Sequence, residues 1–115
     1  MPLDLLSTTE IIEEFENYIE KIRPSADIRN KLDIAYRIDN QSIIIFEIRP
    51  RWDNTEEYFT SDIAKATFVK SKNHWKIFWQ RADLKWYNYT PNPIVKNLKD
   101  FIKIVEEDKL GCFWG

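Results

Sequence analysis

The chain has 115 residues, 43% of them hydrophobic and 31% charged, a balance that is ordinary for one folded domain and excludes wholesale disorder. A formal net charge of -2 gives no long-range attraction to phosphate backbones or anionic lipid, so nucleic-acid binding would require a local basic patch. The single cysteine, Cys112, excludes an internal disulfide, and no apolar run approaches the roughly 18 residues of a membrane span. The first residues, MPLDLLSTTEIIEEF, lack the basic and apolar regions of a secretory signal, which favours a cytoplasmic location.

An amphipathic helix is predicted near the N-terminus. Ser7 and Glu10 have the spacing of a capping box, in which two side chains satisfy backbone amides at a helix start. Arg23-Pro24 should end the helix, because proline restricts the residue before it and cannot continue the helical hydrogen bonds. Between these limits, apolar residues at three- and four-residue spacing form one stripe: Ile11, Ile12, Phe15, Tyr18, Ile19 and Ile22.

From Leu32 the apolar period changes to two, which predicts β-strands. Residues 32–38 alternate as a half-buried strand, and residues 43–48 form a nearly continuous apolar run typical of a strand covered on both faces. Residues 63–70, 74–81 and 84–89 continue as an antiparallel meander. The segment 49–60 lacks clear periodicity and is interpreted as a long loop, a kind of segment that often carries function.

Turns of about two residues between these strands predict a specific register. They place Ala66 opposite Trp79, and Trp79 opposite Trp86, so that small and large side chains fill one sheet face together. In this register the tryptophans of HWKIFWQRADLKWYNY, residues 74–89, are core residues and the intervening lysines point outward.

A last helix is predicted after Asn92, with Pro93 in its first turn and Gly111 beyond its end. The expected fold is a single α+β domain spanning residues 1–115: a two-layer structure with an N-terminal helix, an antiparallel β-meander of four to five strands, and a C-terminal helix packed on the same sheet face. Apolar residues occur at both odd and even positions of the strands, so both faces of the sheet carry apolar side chains. This pattern indicates that something covers the second face as well. The candidates are the 49–60 loop, the C-terminal GCFWG, or a second copy of the chain.

Several segments together resemble a bacterial family known only as domain of unknown function number three-zero-two-four. The segments are LDIAYRI, IFEIRPRW, KATFVKSKNHWKIFWQRADLKWYNY with P-x-P after it, and VEEDKLGCFWG at the terminus. The resemblance is strong over residues 32–115 and looser over the first helix. It implies a small stand-alone bacterial protein and supplies no activity, substrate or catalytic residue.

The end of the second strand has the sharpest charge pattern in the chain. Glu47 and Arg49 lie two apart on the face of Ile43 and Ile45, so the pair should sit at the edge of the core. A partly buried carboxylate among guanidinium groups can orient a ligand or bind an anion, and it can equally be a structural salt bridge. The candidate contact residues are Glu47, Arg49, Arg51, Trp52, Lys65 and Arg81.

The aromatic hairpin offers a second candidate site. Residues 65–85 contain six Lys or Arg against one acid, Asp83, and single-stranded nucleic-acid binders combine such charge with aromatic stacking surfaces. The opposing interpretation is that the rings point inward while the lysines are solvated. The candidate nucleic-acid contacts are Lys70, Lys72, Lys76 and Lys85.

Motifs for catalysis or metal binding are weak. His74, the single histidine, has no recognisable nucleophile partner, and acids at 106–108 disfavour a Cys112 thiolate. No His/Cys pair has metal-ligand spacing, so no catalytic residue, metal or cofactor is predicted. The leading hypothesis is a non-enzymatic binding or protein-interaction module, with a protein partner or a second copy as ligand and no membrane association. The alternatives are single-stranded nucleic-acid binding by the hairpin and a small enzyme that uses the Glu47/Arg49 cluster.

Overall fold

Two helices and one antiparallel sheet form the fold, so the predicted α+β class is confirmed. The computed structural model describes residues 5–51, 53–54 and 56–114. Among them, the strands follow the order β1-β2-β3-β4-β5, and β6 pairs with the part of β4 that β5 leaves free. The elements are α1 (Leu5–Ile22), β1 (Asp33–Asp39), β2 (Ser42–Pro50), β3 (Tyr58–Val69), β4 (His74–Gln80), β5 (Trp86–Asn88), β6 (Ile94–Val95) and α2 (Leu98–Glu107).

Both helices pack on the same side of the sheet, as predicted, and we name this side the helix face. The ring of Phe15 in α1 lies 6.1 Å from that of Phe101 in α2 and 5.4 Å from that of Tyr36 in β1. Below the helices the strands contribute a fully or almost fully buried layer: Ile43, Ile45, Ala64, Ala66, Trp75 and Ile77. In the described part of the chain, neither helix combines the length and apolar content needed to cross a lipid bilayer.

The C-terminal segment also packs into the core under the helices, so it does not cover the second sheet face. Phe113 is buried with its ring 5.0 Å from that of Tyr89. The Asp108 carboxylate accepts hydrogen bonds from the backbone amides of Phe113 and Trp114, and the Trp114 indole donates to the carbonyl of Val105. These bonds hold the segment against α2.

The predicted 49–60 loop is shorter than expected, which is a correction: residues 49–50 end β2 and residues 58–60 begin β3. Arg49 pairs with Phe59 and Pro50 with Tyr58, so the connection between β2 and β3 covers only residues 51–57. A bulge opposite Ile45 and Phe46 inserts one extra residue into β3. Residues 58–61 are all exposed, so neither side of this strand end packs on a core that would require an alternating pattern.

The predicted register of the aromatic hairpin is also wrong, because its turns are longer than two residues. A short 3-10 helix (Lys70–Lys72) and left-handed Asn73 separate β3 from β4, which places Ala64, not Ala66, opposite Trp79. After β4, Leu84 adopts a left-handed conformation with φ 64 and completes a three-residue loop. Trp79 therefore faces Tyr87, and Trp86 faces Gln80.

The last helix begins six residues later than Asn92. Ile94 and Val95 form β6 and pair with Lys76 and Trp75, a conformation that suits β-branched side chains. The first helix extends over Leu5–Ile22, so Ser7 lies inside it instead of at its start.

The cap of α2 provides a test of this boundary. The Asn97 side chain accepts a hydrogen bond from the Asp100 amide at 3.0 Å. Asn97→Ala should lower the free energy of unfolding by about 1 kcal/mol, measured by urea denaturation, because an amide at the helix start loses its partner. Asn92→Ala, at the boundary expected from the sequence, is the matched control. An equal or larger loss in the control would contradict this helix start.

An ion pair that joins the end of α1 to β1 should make stability depend on pH. Arg23 donates to both carboxylate oxygens of Asp33, at 2.9 and 2.8 Å, and this holds the pKa of Asp33 below its usual value. A depressed carboxyl pKa stabilises the fold above the unfolded pKa of about 3.9, and the contribution is lost as pH falls through the folded pKa.

Arg23→Met should therefore lower the free energy of unfolding near neutral pH, and the loss should shrink as pH falls through the folded pKa of Asp33. Lys99→Met, which removes the same charge from an exposed position of α2, is the control and should show a small difference over the same pH range. A loss for Arg23→Met that does not change with pH would contradict the ion-pair explanation.

Candidate functional site

The sheet surface opposite the helix face carries apolar, aromatic and cationic side chains in rows across the strands, and we name it the open face. Residues paired across antiparallel strands point to the same side, so the register defines its members. The central row runs through Arg37, Ile44, Lys65, Phe78 and Asn88. The flanking rows are Asp39, Ser42, Thr67, Lys76 and Ile94 on one side, with Val69 and His74 beyond them, and Ala35, Phe46 and Asp62, with Gln80 and Trp86, on the other.

The open face is unusually apolar for a surface that no described element covers. Ile44 is only 4% exposed, whereas Phe46, Phe78 and Trp86 are half-buried. Among the described residues, no side chain of this face belongs to the core under the helices. An antiparallel sheet with one covered face ordinarily presents polar residues on the other, so three partly exposed rings on this face are an exception.

Lys65 is the centre of the open face. Its Nζ lies 4.9 Å from the ring centroid of Phe78 and 4.7 Å from that of Trp86, so one ammonium group contacts two rings. Burial lowers the pKa of Lys65, because the rings replace part of the water around the charge. The lysine is held among the rings and is not a freely extended surface side chain.

A second cation covers the neighbouring ring. The guanidinium of Arg37 lies 5.4 Å from the ring centroid of Phe46 and donates to both oxygens of Asp62, at 2.8 and 3.0 Å. The bidentate geometry fixes the guanidinium and neutralises Asp62. The ion pair therefore leaves no net charge at these two positions.

The tryptophans of residues 74–89 divide between the two faces of the sheet. Trp75 is buried and Trp79 packs against the core, as expected, but Trp86 lies on the open face, which is a correction. The cause is the three-residue loop ending at Leu84, because one additional residue in a turn moves a strand's side chains to the opposite face. The sequence carries a weak signal for this loop, the turn former Asp83, whose carboxylate accepts from the Lys85 amide.

Glu47 and Arg49 pair with each other at the end of the helix face. Glu47 lies opposite Ile34, a residue that packs against the core, and its side chain is only 14% exposed. Arg49 Nε and Nη2 both lie 2.8 Å from Glu47 Oε2, and the arginine side chain is half exposed. The pair sits at the core edge, where the strand pattern predicts it.

The other members of the predicted cluster lie elsewhere. Arg51 pairs with Asp53, and more distantly with Glu57, in the β2–β3 connection. Lys65 is on the open face, and Arg81 lies over the rings of Trp79 and Tyr87, at 4.9 and 4.2 Å from their centroids. Trp52 lies outside the described residues. The five described residues thus lie in four groups: Glu47 with Arg49 at the core edge, Arg51 in the β2–β3 connection, Lys65 on the open face, and Arg81 over Trp79 and Tyr87.

The four predicted nucleic-acid contacts lie on β4 or in the segments before and after it. Lys76 is an exposed residue of the open face itself, one row away from Phe78. Lys70 and Lys72 lie in the 3-10 helix before β4, and Lys85 lies in the loop after it. All four are exposed.

A separate cleft lies on the helix side, with a volume of about 440 Å³. Burial raises the pKa of the Tyr18 phenol there, and the Glu106 charge adds to the effect. Its walls come from α1, β1, α2 and the C-terminal segment: Tyr18, Lys21, Ile22, Ile34, Glu106 and Trp114.

The family model described as Domain of unknown function (DUF3024) matches residues 3–115 of the chain. The chain belongs to this family. The match confirms the resemblance seen in the sequence and extends it through the first helix. No curated protein and no solved structure matches the DUF3024 chain.

The sequence also raised His74 and Cys112 as candidates for reactive chemistry in the DUF3024 chain. The His74 Nε2 is buried without a hydrogen-bond partner among the described residues. Burial raises the pKa of the Cys112 thiol, and the nearby Asp108 charge adds to the effect, so the reactive thiolate is disfavoured. Within the described residues, no group of three or more His, Cys, Asp or Glu side chains has the arrangement of a metal site.

The contacts of Glu47 predict a structural role that substitution can test. Arg49→Ala should lower the free energy of unfolding by about 1 kcal/mol, because it leaves a mostly buried carboxylate without its cation. Arg51→Ala, which removes an exposed ion pair of the same kind, should cost less than about 0.5 kcal/mol. Urea denaturation of both variants measures the difference. Unchanged stability in Arg49→Ala would instead leave the pair free for a ligand.

Proposed function

We propose that this chain is a non-enzymatic binding protein and that the open face is its contact surface. The observation that carries the proposal is a set of three rings, Phe46, Phe78 and Trp86, on a sheet surface outside the core under the helices. Each ring lies beneath a cation of the same surface. Aromatic and cationic side chains together are characteristic of recognition surfaces.

Rigidity of the sheet supports the same proposal. The side chains of the open face project from β1–β5, whose registers are set by continuous pairing. Arg37 is further fixed by Asp62, and Lys65 by two rings. A surface that is ordered before binding loses little conformational entropy when a ligand arrives. Protein partners, a second copy of the chain and ligands with planar rings all fit such a surface in shape.

The enzyme alternative based on Glu47 and Arg49 gains no support from this geometry. The Glu47 carboxylate is held by Arg49: its Oε2 accepts a hydrogen bond from Arg49 Nε and lies 2.8 Å from Arg49 Nη2. Lys65 and Arg81, which would complete the site, are at other locations.

Binding to the open face can be tested with a planar aromatic anion, 1-anilinonaphthalene-8-sulfonate, followed by amide NMR. The probe should shift amide signals of Phe46, Phe78 and Trp86, because its rings can pack on theirs. Phe78→Ser should weaken its binding by about tenfold, the effect of losing one ring contact.

Leu110→Ser removes an apolar side chain that is 62% exposed and lies beyond α2, and it serves as the control. Its affinity for the probe should equal that of the unchanged protein. Shifts concentrated at Tyr18 and Trp114, in the cleft on the helix side, would overturn the assignment of the open face.

A further inference from the structure

Charge is distributed unevenly over the open face. The whole chain has more acids than bases, yet residues 65–85 hold six Lys or Arg and only Asp83 as an acid. On the side of β1, Asp62 is neutralised by Arg37, and Asp39 remains. The half formed by β3, β4 and β5 is therefore the basic half.

The cations of this half surround the rings in three positions. Lys65 and Lys76 lie on the open face between or beside the rings, in adjacent rows. Lys70 and Lys72 precede β4, and Lys85 follows it, so positive charge is present at both ends of the strand that carries Phe78. An extended anion that runs along β4 on the open face would meet Lys65 and Lys76, with further lysines in the segments before and after the strand.

Stacking surfaces are present on the same path. Phe78 and Trp86 stand on neighbouring strands and are bridged by the Lys65 ammonium. Asn88 lies opposite Phe78, and its exposed amide offers both donors and an acceptor to the edge of a base. Lysine is depleted at the centres of protein–protein interfaces, so this combination suits a polyanion with planar groups better than a protein surface.

We propose that the open face binds single-stranded nucleic acid, with bases stacked on Phe78 and Trp86 and phosphates along Lys65, Lys70, Lys72, Lys76 and Lys85. The proposal rests on the proposed function, because it names the ligand of that same surface. A single strand fits because its bases are free to leave one another and stack on protein rings. A duplex keeps its bases stacked and would meet only the lysines.

Two kinds of variant separate stacking from phosphate contact. The probe is a fluorescein-labelled oligothymidylate of about 12 nucleotides, long enough for a single site, titrated at several salt concentrations. Lys72→Gln/Lys76→Gln should reduce the slope of log K against log salt by about 1.4, since each phosphate contact on a single strand contributes about 0.7. Trp86→Leu should weaken binding roughly 5- to 100-fold and leave the slope unchanged.

The matched control is Lys99→Gln/Lys103→Gln, which removes the same charge from exposed positions of α2. It should leave the slope unchanged. Circular dichroism establishes whether each variant is folded. If Trp86→Leu does not fold, the comparison of Lys72→Gln/Lys76→Gln with its control decides the result.

The proposal would be overturned by an absence of oligonucleotide binding at low salt, by equal effects of the two lysine pairs on the slope, or by equal affinity for duplex DNA. It would also be overturned if polyglutamate displaced the labelled oligonucleotide as well as unlabelled oligonucleotide does, because that result would indicate an acidic peptide as ligand. Concentration-dependent dimerisation that is abolished by Phe78→Ser would assign the face to a second copy instead. If the aromatic probe binds and the oligonucleotide does not, the open face remains a contact surface and only nucleic acid is rejected as its ligand. Failure of both would reject the surface itself.

Discussion

The alternation Ala64-Lys65-Ala66 in the central strand β3 is the constraint on which the two faces of this protein depend. Ala64 and Ala66 are fully buried, and their small side chains lie opposite Trp79 and Ile77 in β4. Lys65, between them, must point to the other side, where it meets Phe78 and Trp86. One strand thus supplies space for the core on the helix face and a charge on the open face. A shift of one residue would bury the lysine and expose the alanines.

The same alternation explains why aromatic residues on the open face are compatible with a folded protein. Phe46, Phe78 and Trp86 lie under Arg37 or Lys65, so each ring contacts a cation that also keeps contact with water. The arrangement reduces exposed apolar surface without placing a helix over the sheet. It leaves a surface that suits ligands combining planar rings with negative charge.

Prediction from the sequence succeeded where a long periodic segment determines its own structure. The stripe from Phe15 to Ile22 indicates α1, and Arg23-Pro24 indicates its end. Prediction failed at short connections: the turn ending at Leu84 is one residue longer than assumed, and this moved Trp86 from the core to the open face. Ile94 and Val95 fit the apolar stripe of α2, yet they pair with β4. In a segment of only a few residues, a helix and a strand can satisfy the same hydrophobic pattern. Pairing with a distant strand then decides between the two conformations.

By itself, the sequence determined the α+β class, the position of α1 and the strand character of residues 33–48, because the period of apolar residues is a local property. It also determined that Glu47 and Arg49 share a face and that residues 65–85 are basic. Only the tertiary structure decided which tryptophans are buried and which cations meet which rings. Those contacts depend on strand register, and register is set by turn geometry and by packing between residues far apart in the chain.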